Sequence, residues 1–215
     1  YERRFIMTFP NETLPKGRKQ KTTALYDRFV SKGAVMGDSF GLENVLWFAN
    51  NPKDAYEEPT IKRSRSHDYV SKEVKNVREN VGVIEIANFS KHEFQGPDAR
   101  NFLDYVLAGR IPKPGRICLN PMLTPKGKLY GDLTVACLNN NKFIVFGSGA
   151  VQEMHRRWFE KHLKDFNVIY KNRSDDFHGL ALSGPKSRHL LQKLVRENIS
   201  NENFKFRDVR EMYVA

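Results

Sequence analysis

The chain has 215 residues, with 36 Lys and Arg against 25 Asp and Glu and a formal net charge of +11. A hydrophobic share of 40% and a charged share of 28% are those of an ordinary soluble globular protein, with residues enough for one large or two small domains. No apolar run is long enough to cross a membrane, no signal-peptide pattern is legible, and the positive charge points to anionic partners without choosing among them.

Residues 1–49 open with a basic, turn-rich segment. A short helix is then expected over 23–33, with Thr23 able to cap it and Gly33 able to end it. The aromatics of Trp47-Phe48-Ala49 are expected to pack against a neighbour. Residues 50–68 turn to Asn, Pro, Lys, Arg, Ser and Glu without periodicity and read as a surface linker. A helix over 69–78 and a strand over 81–86 follow. Gly96-Pro97-Asp98 then starts a helix, with Ala99, Phe102, Leu103, Val106 and Leu107 on one buried face and Gly109 closing it. Leu182-Ser183-Gly184-Pro185 repeats that turn, and Ser187, Leu190, Leu191, Leu194 and Val195 repeat the helix spacing. The repetition predicts an α+β fold of duplicated ferredoxin-like β-α-β-β units preceded by an N-terminal linker segment.

Between the copies lies a β-hairpin over 116–135, turning at Pro125-Lys126-Gly127. On its second strand Leu129, Gly131, Leu133, Val135 and Cys137 share one face, and Tyr130, Asp132 and Thr134 share the other. Aspartate is a poor strand former. In mid-strand, among good ones, it marks either a functional carboxylate or a solvated outer face. An apolar strand over 142–146 precedes Gly147-Ser148-Gly149, which opens a helix. A glycine-rich loop there can hold an anion, but Gln152 stands where a dinucleotide fingerprint has its third glycine, so a plain turn is favoured.

His155 and His162, on that helix, read as packing or surface residues, and the six histidines form no metal pattern. No metal site and no serine or cysteine triad is expected. Cys118 and Cys137 fall in predicted strands and read as reduced core thiols in a reducing compartment. The chain starts at Tyr1, and 212–215 look like a strand cut midway, so a piece of a longer polypeptide is expected. The basic residues are spread among the acids with no stripe of stacking aromatics. Nucleic acid is therefore disfavoured as a partner, and a non-catalytic folate- or RNA-binding module ranks last among the readings.

In order and spacing, Val81-Gly82-Val83-Ile84, Gly96-Pro97-Asp98-Ala99, Asn120-Pro121-Met122-Leu123, Gly131-Asp132-Leu133-Thr134-Val135, Gly147-Ser148-Gly149 and Leu182-Ser183-Gly184-Pro185 resemble the aminomethyltransferase (glycine-cleavage T-protein) family. The likeness is greatest to the folate-binding half of dimethylglycine and sarcosine dehydrogenases. Leu25-Tyr26-Asp27-Arg28, Gly33-Ala34-Val35-Met36-Gly37 and Trp47-Phe48-Ala49 look like the segment that joins the flavin domain to the folate domain there. The resemblance implies residues 1–68 as a flavin-side connecting segment and 69–215 as the N-terminal part of a folate-binding domain. It implies tetrahydrofolate as cofactor, FAD in a domain outside this chain and an N-methylated glycine as substrate.

By the same likeness, Asp132 is the base near the folate nitrogens, and a buried carboxylate would also stabilise a cationic iminium. Met122, Leu123 and Tyr130 join Asp132 as folate contacts. A cytoplasmic setting is implied, or the mitochondrial matrix in a eukaryote. A stand-alone aminomethyltransferase is the alternative. Leu119, where T-proteins have a tyrosine, and Glu85, where they have an aspartate, depart from the pattern, and the second half's Thr-Gly-Glu segment is absent. This chain alone is therefore expected neither to oxidise an amine nor to bind folate well.

Overall fold

The computed structural model describes residues 5, 7–10 and 12–214. The chain divides into two units, one of residues 1–85 with 180–187 and the other of 86–179 with 188–215. The expected boundary at 68 falls inside the first unit, and Tyr1 and Ala215 lie outside the described residues.

The first unit begins with α1 (Tyr26–Ser31), followed by the antiparallel pair β1 (Ala34–Ser39) and β2 (Leu42–Phe48). Gly33 does end the first helix, at φ 85°, where a Cβ would lie 2.6 Å from the Ala49 carbonyl oxygen. Trp47 packs within its own unit: it is 2% exposed and stacks on Tyr69 at 4.8 Å, and its indole N–H donates to Glu57 at 2.7 Å. Arg18 grips the buried Glu43 through both carboxylate oxygens, at 2.7 and 2.5 Å, and holds that carboxyl below the usual range. Tyr69 belongs to α2 (Ser66–Glu79), which starts three residues before the expected helix. The Ser64 hydroxyl accepts from the Ser66 N–H at 3.1 Å and donates to Glu57 at 2.5 Å, so the helix entry is ordered by side chains that carry no periodicity. The unit closes with β3 (Gly82–Glu85), antiparallel to β9 (Leu180–Ser183).

The second unit is built on a five-stranded sheet. In chain order it comprises β4 (Phe89–Gln95), α3 (Ala99–Val106), β5 (Arg116–Leu123), β6 (Leu129–Asn139), β7 (Lys142–Ser148), α4 (Gln152–His162) and β8 (Ile169–Asn172). The strand order is β5-β6-β7-β4-β8, with every pairing antiparallel. Without β5 this is one complete ferredoxin-like β-α-β-β-α-β unit, because α4 and β8 return the chain beside β4. Of the second copy the chain contains β9, the Gly-Pro turn and α5 (Ser187–Gln192). The two turns are alike. Gly96 and Gly184 have φ of 149° and 113°, and a Cβ on either would lie within 2.5 Å of a backbone oxygen, that of Asn167 or of Asn80.

The core lies on one face of this sheet. Phe94, Phe102, Leu103, Met122, Leu133, Val135, Phe143, Val145 and Phe159 are all fully buried there. Phe159 of α4 meets Phe94 edge to face at 5.0 Å and Phe102 at 6.4 Å. At the end of α3, Gly109 donates its N–H to the buried Asn120 Oδ1 at 2.7 Å, and a Cβ on Gly109 would lie 2.6 Å from that oxygen. Gly109→Ala is therefore expected to destabilise the chain by about 1–3 kcal/mol, by breaking that bond and leaving the buried Asn120 Oδ1 without its donor. A lower urea midpoint with unchanged slope would show it, and an unmoved midpoint would refute it.

Candidate functional site

The face of the sheet opposite the core carries Asp132. Successive side chains of a strand alternate, and on β6 Gly131, Leu133 and Val135 are buried while Asp132 is exposed. Asp132 pairs with the exposed Pro121 of β5. The next pair on this face is Leu119, 70% exposed, with Thr134. Thr134 in turn faces Phe146 on β7, and Phe146 faces Lys91 on β4. Two residues on, the exposed Ser148 pairs with the half-exposed Phe89. One exposed carboxylate thus sits on a face of apolar and aromatic side chains that also carries the hydroxyls of Thr134 and Ser148 and, toward β4, the buried Lys91 and Glu93. Such a surface can hold a flat, partly polar ring and take a proton from it.

The four predicted folate contacts do not lie on one surface. Asp132 is on the outer face. Met122 is fully buried in the core, paired with Gly131. A register shift between Met122 and Leu123 turns the end of the hairpin toward α4. There Leu123 lines a cavity of about 190 Å³ with Tyr105, Pro125, Trp158 and His162. Tyr130 is half-buried, its ring 4.6 Å from that of Trp158. The residues that do share the surface with Asp132 are Leu119, Pro121, Thr134, Phe146 and Ser148. Alternation alone gives Thr134 this face, but the others follow only once the pairing register is known.

The Gly147-Ser148-Gly149 loop owes its glycines to packing. A Cβ on Gly149 would lie 2.0 Å from the Asn88 carbonyl oxygen, and one on Gly147 2.8 Å from the Leu133 side chain. Beneath the site the core side holds a polar cluster. His92 is fully buried, its Nδ1 2.8 Å from the Tyr170 hydroxyl and its Nε2 3.1 Å from the Ser90 hydroxyl. Burial pushes its pKa down to about 4, the nearby His155 adds to the fall, and Glu153 opposes it. Burial also lowers His155, against the Tyr130 backbone carbonyl, and raises both thiols, Cys118 and Cys137. Among the described residues, no group of three or more His, Cys, Asp or Glu is placed to hold a metal ion, and no helix is long and apolar enough to cross a membrane.

Comparison with known proteins agrees with this architecture. The chain is 34% identical over 214 residues to mitochondrial dimethylglycine dehydrogenase of Homo sapiens, a match covering 98% of the chain and 24% of the relative. It is 26% identical over 183 residues to an aminomethyltransferase of Staphylococcus epidermidis, covering 84% of the chain and 45% of the relative. The chain thus spans about a quarter of the length of the dehydrogenases it matches. The fold is that of the glycine cleavage system aminomethyltransferase T of Bartonella henselae, with a TM-score of 0.70 at 20% identity over 90% of this chain and 48% of that one. Heterotetrameric sarcosine oxidase of Corynebacterium sp. U-96 shares the fold less fully, with a TM-score of 0.51 at 12% identity over 72% of this chain and 77% of that one. Residues 25–215 match the model of the GCVT N-terminal domain, and the chain belongs to that family.

Proposed function

We propose that this chain is the folate-binding portion of an FAD-dependent dehydrogenase of N-methylated glycines, dimethylglycine or sarcosine, that passes the released one-carbon unit to tetrahydrofolate. Residues 1–68 are the flavin-side connecting segment of that enzyme, and 69–215 the N-terminal part of its folate domain. Its compartment is the mitochondrial matrix in a eukaryote and the cytoplasm otherwise. The observation that carries the reading is Asp132, an exposed carboxylate in mid-strand on an apolar sheet face. The likeness to dimethylglycine dehydrogenase over 98% of the chain supports the choice of reaction.

When bound, the flavin supplies the oxidation of the amine, and the folate supplies the nitrogen that captures the carbon. This chain's own residues bind, orient and hold a proton. Asp132 accepts at its carboxylate the proton that the attacking nitrogen must lose. Leu119, Pro121 and Phe146 fit the faces of a planar ring, and Thr134 and Ser148 offer hydroxyls at its edge. Met122 contributes from the core side, holding β5 against Gly131, while Leu123 and Tyr130 flank the hairpin's end.

The test is to express the full-length protein containing this chain with FAD. Dye reduction by dimethylglycine and by sarcosine is then followed with and without tetrahydrofolate. Amine-dependent reduction, with methylene-tetrahydrofolate formed only when folate is present, is the expected result. Oxidation of neither amine would overturn the dehydrogenase reading. A stand-alone aminomethyltransferase is the alternative that the family match and the Bartonella fold favour. It would show folate-dependent transfer with no flavin in the purified protein.

A further inference from the structure

His155 lies on α4, 1% exposed, and apart from the Tyr130 backbone carbonyl that acts on its ring, neither nitrogen has a hydrogen-bond partner. Buried polar side chains are nearly always partnered, so an exception needs a reason. Two glycines supply one. A Cβ on Gly131 would lie 2.8 Å from His155 Nε2, and a Cβ on Gly147 would lie 3.1 Å from His155 Nδ1. A single imidazole therefore rests on the bare backbone of two adjacent strands, β6 and β7. The ring is boxed in by His92 at 6.3 Å and Tyr130 at 6.4 Å between centroids. Alternation sends the next residue of each strand, Asp132 and Ser148, to the opposite face, where both are exposed. The histidine thus stands directly under the backbone that carries the carboxylate of the outer face.

We propose that His155 is a positioning residue for Asp132: its ring, seated on Gly131 and Gly147, sets the height of the strands that hold Asp132 and Ser148 on the outer face. The inference rests on the reading of Asp132 as the site's base. A planar ring with two rotatable bonds, fixed among aromatic neighbours, is a stiff spacer. A smaller side chain lets the two strands settle toward α4 and withdraws the carboxylate from the reacting nitrogen.

Two measurements on His155→Asn test this. In this chain, labelled with ¹³C and ¹⁵N, the Asp132 carboxyl resonance and the amides of residues 130–133 and 147–148 are expected to shift, while those of β8 stay in place. In the full-length protein, methylene-tetrahydrofolate formed per amine oxidised is expected to fall roughly 10- to 100-fold with amine oxidation unchanged, as small misplacements of reacting groups do. Adding His155→Asn to Asp132→Asn is expected to lower the yield no further, because a residue that acts through Asp132 has nothing left to act on.

Multiplied losses in the double variant would overturn the proposal, as would a lower melting temperature with the Asp132 resonance unmoved. Should Asp132→Asn alone leave the yield unchanged, the base assignment fails and the positioning role fails with it. The resonances would still report whether the ring sets that backbone. Gly131→Ala presses a Cβ onto the same ring and carries the same expectations if His155→Asn does not fold.

Discussion

Asp132→Asn is expected to leave amine-dependent dye reduction by the full-length protein within about twofold while methylene-tetrahydrofolate formation falls roughly 10²- to 10⁴-fold, the usual worth of a positioned general base. Formaldehyde should appear in place of the lost product, because the one-carbon unit is still released and water takes it up. Asparagine keeps the size and shape of the side chain but cannot accept the proton. The change sits on an exposed position, so folding stability should move by no more than about 0.5 kcal/mol. The comparison to make is product partition in wild type and variant at equal amine turnover, with thermal unfolding of both as control. Equal methylene-tetrahydrofolate yields would remove Asp132 from the chemistry. A loss of yield accompanied by a matching loss of stability would assign it a structural role instead.

The second large effect is acid destabilisation through His92. The ring is fully buried, and its pKa is depressed to about 4 from an ordinary 6.5. Above pH 6.5 the imidazole is neutral in both folded and unfolded chains, and its contribution to stability is complete. As pH falls from 6.5 toward 4 the unfolded chain takes up the proton and the folded chain does not, so stability drops with pH across that window. Below about pH 4 both states are protonated and the loss levels off. A difference of this size amounts to about 3 kcal/mol over the window. His155 is displaced in the same direction and deepens the fall, while Glu153 works against it.

Urea unfolding at pH 7.0, 5.5 and 4.5 in wild type and His92→Gln checks this. The glutamine variant is expected to be less stable at pH 7.0, since it loses the fit against Tyr170, Ser90 and Phe159. Its stability should nevertheless depend less steeply on pH. Equal pH slopes in the two proteins would show that His92 takes up its proton as readily folded as unfolded and does not control the acid limb.

Much of the second unit was legible from pattern alone. The 3.6-residue spacing of Ala99, Phe102, Leu103 and Val106 and the two-residue alternation after Gly127 are local consequences of burying one face. The strand forms where it was expected, and the helix starts there but ends at Val106, with Leu107 already extended, short of the expected stop at Gly109. The entry of α2 at Ser66 was not legible, because it depends on hydroxyl contacts among Ser64, Ser66 and Glu57. Trp47 was expected to pack against a neighbour, and that neighbour is Tyr69 of α2, with which it closes a small core. An aromatic in an aperiodic stretch announces that it will be buried, but not against what.

The duplication read from the two Gly-Pro turns holds for the turns themselves, whose backbones share the same crowded, positive-φ glycine. The first copy closes into a five-stranded sheet, whereas β9 of the second pairs with β3 in a sheet of two strands. That closure depends on β8 returning beside β4, a pairing between residues 74 to 80 positions apart that no local window contains.

For the site the division is sharper. The sequence by itself determined that Asp132 lies on the face opposite Leu133 and Val135, because the strand period is two and the burial of one face leaves no choice for the other. It could not determine Asp132's neighbours on that face. Those follow from the register that sets Pro121 beside Asp132 and Phe146 beside Thr134, and from the irregularity after Met122 that carries Leu123 and Tyr130 toward α4. Register is fixed only when all the strands close over a shared core. The support beneath Asp132, an imidazole against two glycines of different strands, exists only in the folded protein, since it needs β6, β7 and α4 together.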